Sequence, residues 1–388
     1  MPDPEPYIPL TRTEAERLAR TALPDDQHAA FDTFCRILRA WFHYEQHGHM
    51  ETQKSLLAPL LEGDASPATV KRFASSLEVA ALAANFRPIS EAKLSEALAE
   101  ESMFRIRLAV DFDQFEEVVF YGRGAEQRQA TVPVLFGLRK EEVTFTNYER
   151  VLVFIRFRNV ESLEPALRGQ TILKLFANVP QADLEMLFPN SEIRMRLTDK
   201  LFIGVPAFIS GLVVLFTKLG SALLLTGGLL AFWVGLSDRQ VELDQAALVG
   251  LLSAAGALGG YLWKQFSNFK NRKIRFMKAL TERLYFKNLD NNAGVLTALA
   301  DHAEEAECKE TVLAYAALLA GGPQTATALK SRVETMLGQA RVDFDIADAI
   351  SKLQRLELME TSGETLSAVP LERSITVVDA RWDALFSG

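Results

Sequence analysis

Side chains able to do chemistry crowd into one short run, LYFKNLDNNAG, where Lys287, Asn288, Asp290, Asn291 and Asn292 fall within six residues. Oxygen donors at that density invite a calcium loop, which needs acids or amides at positions 1, 3 and 5, glycine at 6 and glutamate at 12. Counted from Asp290, Gly294 falls at position 5 and Asp301 at position 12, so the pattern fails. Asn and Asp tolerate left-handed backbone and bond their own neighbouring amides, so the run reads as a turn that stops one helix and lets another begin. FHYEQHGHM carries His43, His47 and His49, the first two a helical turn apart, as metal-binding pairs are. Without H-E-x-x-H or a carboxylate at matching spacing they read as a solvated helix end. No phosphate loop, no G-x-G-x-x-G ahead of a helix and no G-x-S-x-G elbow occurs, and no metal or other cofactor is expected. The remaining polar candidates are Tyr121 and Arg123, with Asp183 and Glu185, and Lys287, Asp290 and Asn292 of the opening run. They make a pocket only if the elements carrying them converge.

Those elements read as α+β. DDQHAAFDTFCRILRAWFHYEQ sets Phe31, Phe34, Ile37, Leu38 and Trp41 on one helical face, and SPATVKRFASSLEVAALAANF opens with a Ser66 cap followed by Pro67. SEAKLSEALAEES, after Pro88, predicts a further helix. The period then changes. FRIRLAVDF, EEVVFYGRG, TVPVLFGL and EEVTFTNYERVLVFIRFRN are β-branched and aromatic runs broken by glycine and charged turns, which predicts an antiparallel sheet. TILKLF, PQADLEMLF and SEIRMRL continue as strand, short helix and strand. Near the C-terminus, TALKSRVETMLGQARVDFDIADAISKLQRLELMETSGETLSAVPL gives helix, turn, helix and two strands around Ser362-Gly363-Glu364, the order of a winged helix. Its second helix sets Asp345 and Asp348 against Lys352 and Arg355, not the basic face that phosphate contacts require, so protein docking or internal packing is expected and no nucleic acid partner.

The 388 residues leave room for two or three domains, and 48% hydrophobic content supports substantial cores. A net charge of -8 gives no overall attraction to nucleic acid. Cys35 and Cys308 lie far apart with no C-x-x-C, as buried thiols of a reduced compartment do. MPDPEPYIPL has neither signal-peptide nor transit-peptide character, so an internal segment is expected to enter the membrane.

That segment is apolar. Leu201 to Leu236 carries one charge, Lys218, and Ala246 to Trp263 carries none. Leu219 to Leu236 and Ala246 to Trp263 each meet the length of a short spanning helix. Basic residues flank both ends, Arg194, Arg196 and Lys200 before and Lys264, Lys270, Arg272, Lys273, Arg275 and Lys278 after, while the loop between the spans is acidic. The positive-inside rule then predicts a two-span hairpin with both termini cytoplasmic. Leu201 to Thr217 is expected at the interface, with Lys218 snorkelling, and the second basic flank is the candidate lipid-headgroup site. Small residues at four-residue spacing, Gly250 with Ala254 and Gly256 with Gly260, allow close helix packing within the hairpin or in a homo-oligomer.

LYFKNLDNNAG, EEAECKETVLAYAALL and KLFANVPQADLEMLFPNSEIRMRLTDKLFIGVPA together resemble the transmembrane protein 143 family, over roughly Phe115 to the C-terminus. The resemblance implies a double-spanning membrane protein of uncharacterised role and supplies no catalytic residues; without a transit peptide, it points to a bacterial inner membrane. The expectation is thus an α+β membrane protein, divided into a helical region 1–105, a β-rich region 106–200, a membrane hairpin 201–264, juxtamembrane helices 265–325 and a winged-helix-like module 326–388. Its expected role is a non-enzymatic, multi-pass membrane scaffold or sensor for lipid and protein partners. The alternative is an enzyme with a pocket at Tyr121, Arg123, Asp183 and Asn292.

Overall fold

A capping box starts the first helix: Thr11 Oγ1 accepts from the Glu14 amide at 3.3 Å while the Glu14 carboxylate accepts from the Thr11 amide at 2.8 Å. The structure, a computed structural model, describes residues 5–90, 107–109, 112–134, 139–161, 163–189, 192–194, 287–338 and 342–385, with scattered positions between 233 and 270. The chain divides into one unit of Met1–Met103, Val110–Asn190 and Lys287–Gly388 and another of Phe104–Ala109 and Ser191–Phe286. In the second, β2 (Arg107–Ala109) pairs antiparallel with β6 (Glu192–Arg194).

The first unit opens with α1 (Arg12–Thr21), α2 (His28–Glu62) and α3 (Pro67–Ala83). Gly63, at φ 87°, ends α2 in the left-handed conformation that glycine adopts without penalty. Ser66 caps α3, its hydroxyl accepting from the Thr69 amide at 3.2 Å. A five-stranded antiparallel sheet follows, with β1 (Arg87–Pro88), β3 (Phe115–Val134), β4 (Arg139–Phe157), β5 (Thr171–Pro180) and β7 (Asn288–Asn291) side by side in that order. β4 is central and covered on both faces. Leu152 and Phe154 pack towards the helices, and Phe157 joins Phe115, Phe120 and Phe188 in an aromatic cluster on the far face. The long helix α4 (Ala293–Gly321) leaves β7 directly. Then come α5 (Ala326–Leu337), α6 (Ile346–Arg355), the hairpin β8 (Met359–Ser362) and β9 (Thr365–Ala368), and α7 (Leu371–Ala384).

Two cores lie along α2 and α4. The upper core joins Phe31, Phe34, Leu38 and Phe42 of α2 to Val312, Leu313 and Leu318 of α4, together with α1, α5, α6 and α7. The lower core joins Leu57 and Leu60 of α2 to Phe73 of α3, Leu152 and Phe154 of the sheet, and Val295, Leu296 and Leu299 of α4. Each fully buried side chain of this size contributes about 1.5–3 kcal/mol. Between the cores the buried stripe of both helices turns polar, at Gln46 on α2 and at Glu304, Glu307 and Glu310 on α4.

The expectation of a membrane-spanning α+β protein is corrected: the described fold is α+β around a five-stranded antiparallel sheet, and no helix among the described residues is long and apolar enough to cross a membrane. Length alone is present in α2 and α4, but both carry charge, including Arg36, Arg39, Glu45 and Glu51 on α2 and Asp301, Glu304, Glu307, Lys309 and Glu310 on α4. The multi-pass, inner-membrane localisation is corrected with it, since no spanning helix is found among the described residues. The hairpin expected over 201–264, with Leu201 to Thr217 and Lys218, and the helix expected over SEAKLSEALAEES lie outside the described residues apart from scattered positions. Of the candidate lipid-binding set, Lys264 and Lys270 are exposed, while Arg272, Lys273, Arg275 and Lys278 lie outside the described residues.

Candidate functional site

The polar seam between the cores opens into a cleft of about 420 Å³ among α2, α3, α4 and α6, within the size range of small-molecule sites. α2 presents Glu45, Gln46 and His49 to it, and α3 presents Val79, Ala80 and Ala83. Glu307 comes from α4 and Asp348, Lys352 and Arg355 from α6. The spacing explains the placement. Glu304, Glu307 and Glu310 recur every three residues, so one side of α4 is acidic exactly where its apolar stripe is interrupted.

Lys352 anchors the seam. Its ammonium lies 3.2 Å from Glu307 Oε1 and 2.7 Å from Asp348 Oδ2 and also donates to Glu310 Oε2, so its three N–H bonds are all used. Glu310 is fully enclosed, and its other oxygen accepts from Asn85 Nδ2 at 2.6 Å. Burial alone would depress the Lys352 pKa, but the facing carboxylates of Glu310, Glu307 and Asp348 reverse that and hold it above its usual value. The acids outnumber the base. One ammonium faces two buried carboxyls and the exposed Asp348, and burial, with Glu310 and Asp348 nearby, pushes Glu307 up to about 7 against the pull of Lys352. Burial likewise raises Glu310.

Arg355 ties α6 to α2 by donating to Glu45 Oε1, and its other nitrogen lies 4.0 Å from Glu307 Oε2. Glu45 Oε2 is enclosed without a hydrogen-bond partner. On the opposite flank of the seam, Glu304 accepts from Arg12 Nη1 at 2.6 Å and faces His43 Nδ1 at 2.8 Å. His43 and His47 stack at 6.2 Å, and His49 faces the cleft. Among the described residues no group of three His, Cys, Asp or Glu side chains could hold a metal ion. Cys35 and Cys308 are buried free thiols, and burial raises the pKa of both, which leaves them poor nucleophiles.

The sequence-derived candidates divide into separate places. Tyr121 and Arg123 share the helix-facing side of β3. Tyr121 sits in the lower core, and burial, with Glu78 and Glu117, pushes its hydroxyl up to about 12. The Arg123 guanidinium lies 4.6 Å from the Tyr7 ring centre and 5.0 Å from that of Phe86, donates to the Ala84 carbonyl at 3.3 Å, and is 3.8 Å from Glu149. Asp183 instead pairs with Lys287, Oδ2 to Nζ 3.1 Å. Asp290 crowds the start of α4, its Oδ1 standing 2.8 Å from where a Cβ on Gly294 would sit. Asn292 has φ 51°, and its amide donates to the Leu173 carbonyl at 2.8 Å. β4 and β5 separate β3 from β7, which places the two groups roughly 14 Å apart at the usual strand spacing. They form no common pocket. Nor does the Asn-rich run join two helices directly: Asn288–Asn291 pairs with β5 as an edge strand, and only Asn292 makes the turn.

Glu307, Glu310, Glu45 and Gln46 are not singled out by the sequence: acids at three-residue intervals mark a polar face of a helix without showing that it is buried. The fold and seam define a class: an α+β protein with a charged cleft enclosed by helices and a helix–helix–hairpin module docked on its long helix. A family model described as a protein of unknown function (DUF3754) matches residues 148–294, from within β4 to the start of α4. No solved structure matches the chain.

Proposed function

We propose that this protein is a non-enzymatic scaffold or sensor in which occupancy of the seam cleft governs how the module 326–368 sits on α4. One observation carries the reading. α6 is held to α4 through an over-acidic cluster at the wall of an open cleft, so the strength of docking depends on the charge state and occupancy of that cleft. Arg355 and Lys352 are engaged by acids of the chain itself, which favours internal docking and a protein partner over nucleic acid. Lys352 also stays protonated and fully bonded, so it suits a structural latch better than a base or nucleophile.

Hydrogen exchange on the full chain tests this. Lys352→Gln is expected to speed exchange across 346–368 while α1 and the sheet keep their protection. Unchanged exchange in 346–368, or equal loosening everywhere, would reject the latch.

A further inference from the structure

The seam has an uneven supply of hydrogen-bond donors and acceptors. Four carboxylates, Glu45, Glu307, Glu310 and Asp348, meet two cations, Lys352 and Arg355. Every N–H of Lys352 is committed, yet Glu45 Oε2 is enclosed without a partner. Gln46 adds an independent observation: it lines the cleft, is 7% exposed, and its side-chain amide makes no hydrogen bond within the chain. The enclosed, unpaired Glu45 oxygen costs about 1–3 kcal/mol unless something binds it, and the Gln46 amide, open to the cleft, is available to a ligand. Excess negative charge and free acceptors call for a cation that brings N–H donors. Across from them the α3 wall is aliphatic, at Val79, Ala80 and Ala83, and Val79 is 65% exposed.

We infer that the cleft binds a small molecule bearing a primary aliphatic ammonium, held by Glu45, Glu307 and Gln46, with its carbon chain along Val79, Ala80 and Ala83. This rests on the reading of the cleft as a regulatory site and names its ligand class. An anion would face the acid excess without a free lysine donor. A neutral apolar ligand would leave Glu45 and Gln46 unpaired. Glu45 Oε2 is enclosed, so the ammonium meets it once the Glu45 carboxylate turns towards the cleft it lines, with Arg355 kept on Oε1.

The test is calorimetry on the full chain with 1,4-diaminobutane, its N,N′-diacetyl derivative, succinate and Nα-acetyl-lysine amide. The diamine is expected to bind saturably, and Glu45→Gln and Gln46→Leu each to weaken it roughly tenfold or more, as loss of a charge-assisted bond does. Gln46→Leu keeps the helix packed, so a folding defect in one variant leaves the other informative. The lysine amide separates a free amine from a side chain of a partner, since tighter binding of the amide marks the second source and still supports the ammonium chemistry. Equal binding of the diacetyl compound, preference for succinate, or indifference to both substitutions would overturn the inference. Exchange across 346–368 in the same samples separates the two proposals. Diamine binding with unchanged exchange keeps the ligand class and rejects the latch. Absence of binding, with Lys352→Gln still loosening that segment, rejects the ligand class and keeps the latch.

Discussion

Lys309 and Lys352 are both 4% exposed, and the chain accommodates them in opposite ways. Lys309, on α4, donates to the carbonyls of Ile8 and Leu10 at 3.0 and 2.8 Å and lies 5.6 Å from the Tyr7 ring centre; burial lowers its pKa, and the carboxylates of Glu305, at 3.4 Å, and of Glu310 do not restore it. Lys352, on α6, meets three carboxylates, and its pKa is raised. Carbonyl dipoles do not titrate, so Lys309 pins the N-terminal segment 5–10 in a fixed way. Carboxylates do titrate. The same residue type therefore makes a fixed clasp at one end of α4's polar stretch and a condition-dependent one at the other.

The most disruptive way to break this contrast is Lys352→Met. It leaves Glu307, Glu310 and Asp348 without their counter-ion, and removing one partner of a buried pair typically costs about 3–5 kcal/mol. Urea unfolding at pH 8 measures it. The pH dependence carries a definite sign. The folded pKa of Glu307 is raised from 4.5 to about 7, so its contribution is fully present below pH 4.5 and is lost as pH rises through about 7. Without Lys352 the folded value climbs further, so the loss grows and extends to higher pH. A cost that is the same at pH 5 and pH 8 would contradict the titrating seam.

Lys309→Met removes two charge-assisted bonds of about 1.5–3 kcal/mol each, but relief of its burial offsets much of this, so it should cost less than Lys352→Met. The loss should be local. Exchange should quicken in residues 5–10, where Glu5 also accepts from the amides of Gly124 and Ala125 at 2.9 and 3.2 Å, and leave 346–368 unchanged. The folded pKa of Lys309 lies below its unfolded value of 10.5, so its own titration favours the fold as pH rises towards 10.5.

How far the sequence reveals this contrast depends on the range of the forces involved. Local signals are legible: the Ser66 cap sits where Ser-Pro predicted it, and Phe31, Phe34 and Leu38 face the upper core. Glycine misled. EEVVFYGRG and TVPVLFGL read as separate runs, yet β3 continues through Gly122 because a Cβ there would stand 2.7 Å from the Tyr148 ring, so glycine serves cross-strand packing instead of a break. The seam was illegible for a different reason. Glu307, Glu310 and Lys352 are ordinary helix-surface residues by spacing, and only the packing of α2 and α6 over α4 buries them. Long-range burial, not residue type, makes them chemically unusual.

A neutral contact sharpens the comparison. Tyr315, fully buried on α4, donates to the Val369 carbonyl at 2.8 Å and lies 2.7 Å from Ser374 Oγ, so it joins α4 to the start of α7 without a charge. Tyr315→Phe should cost about 1–2 kcal/mol, by the same amount at pH 5 and pH 8. A pH-dependent cost would mean that the seam's titration spreads through the whole upper core.

The smallest effect at neutral pH should come from His302, which belongs to the Lys309 side of the comparison. Its pKa is lowered to about 3 by burial first and then by Arg123, Arg150 and Lys309, and its Nδ1 has no partner. A group with a depressed folded pKa contributes stability that is present above its unfolded value of 6.5 and is lost as pH falls towards about 3. This slope opposes that of Glu307. His302→Phe keeps a ring beside Phe86, 6.3 Å away between centres, and removes the unpaired nitrogen, so stability at pH 7 should change by less than about 1 kcal/mol. At pH 4.5 the variant should exceed the parent by more, because the imidazole no longer favours the unfolded chain. With that slope removed, the fall in stability between pH 5 and 7 assigned to Glu307 should stand out more steeply in urea titrations. If the variant instead flattens that fall, the two ends of α4's polar stretch titrate as one network, and the contrast between a fixed and a responsive clasp does not hold.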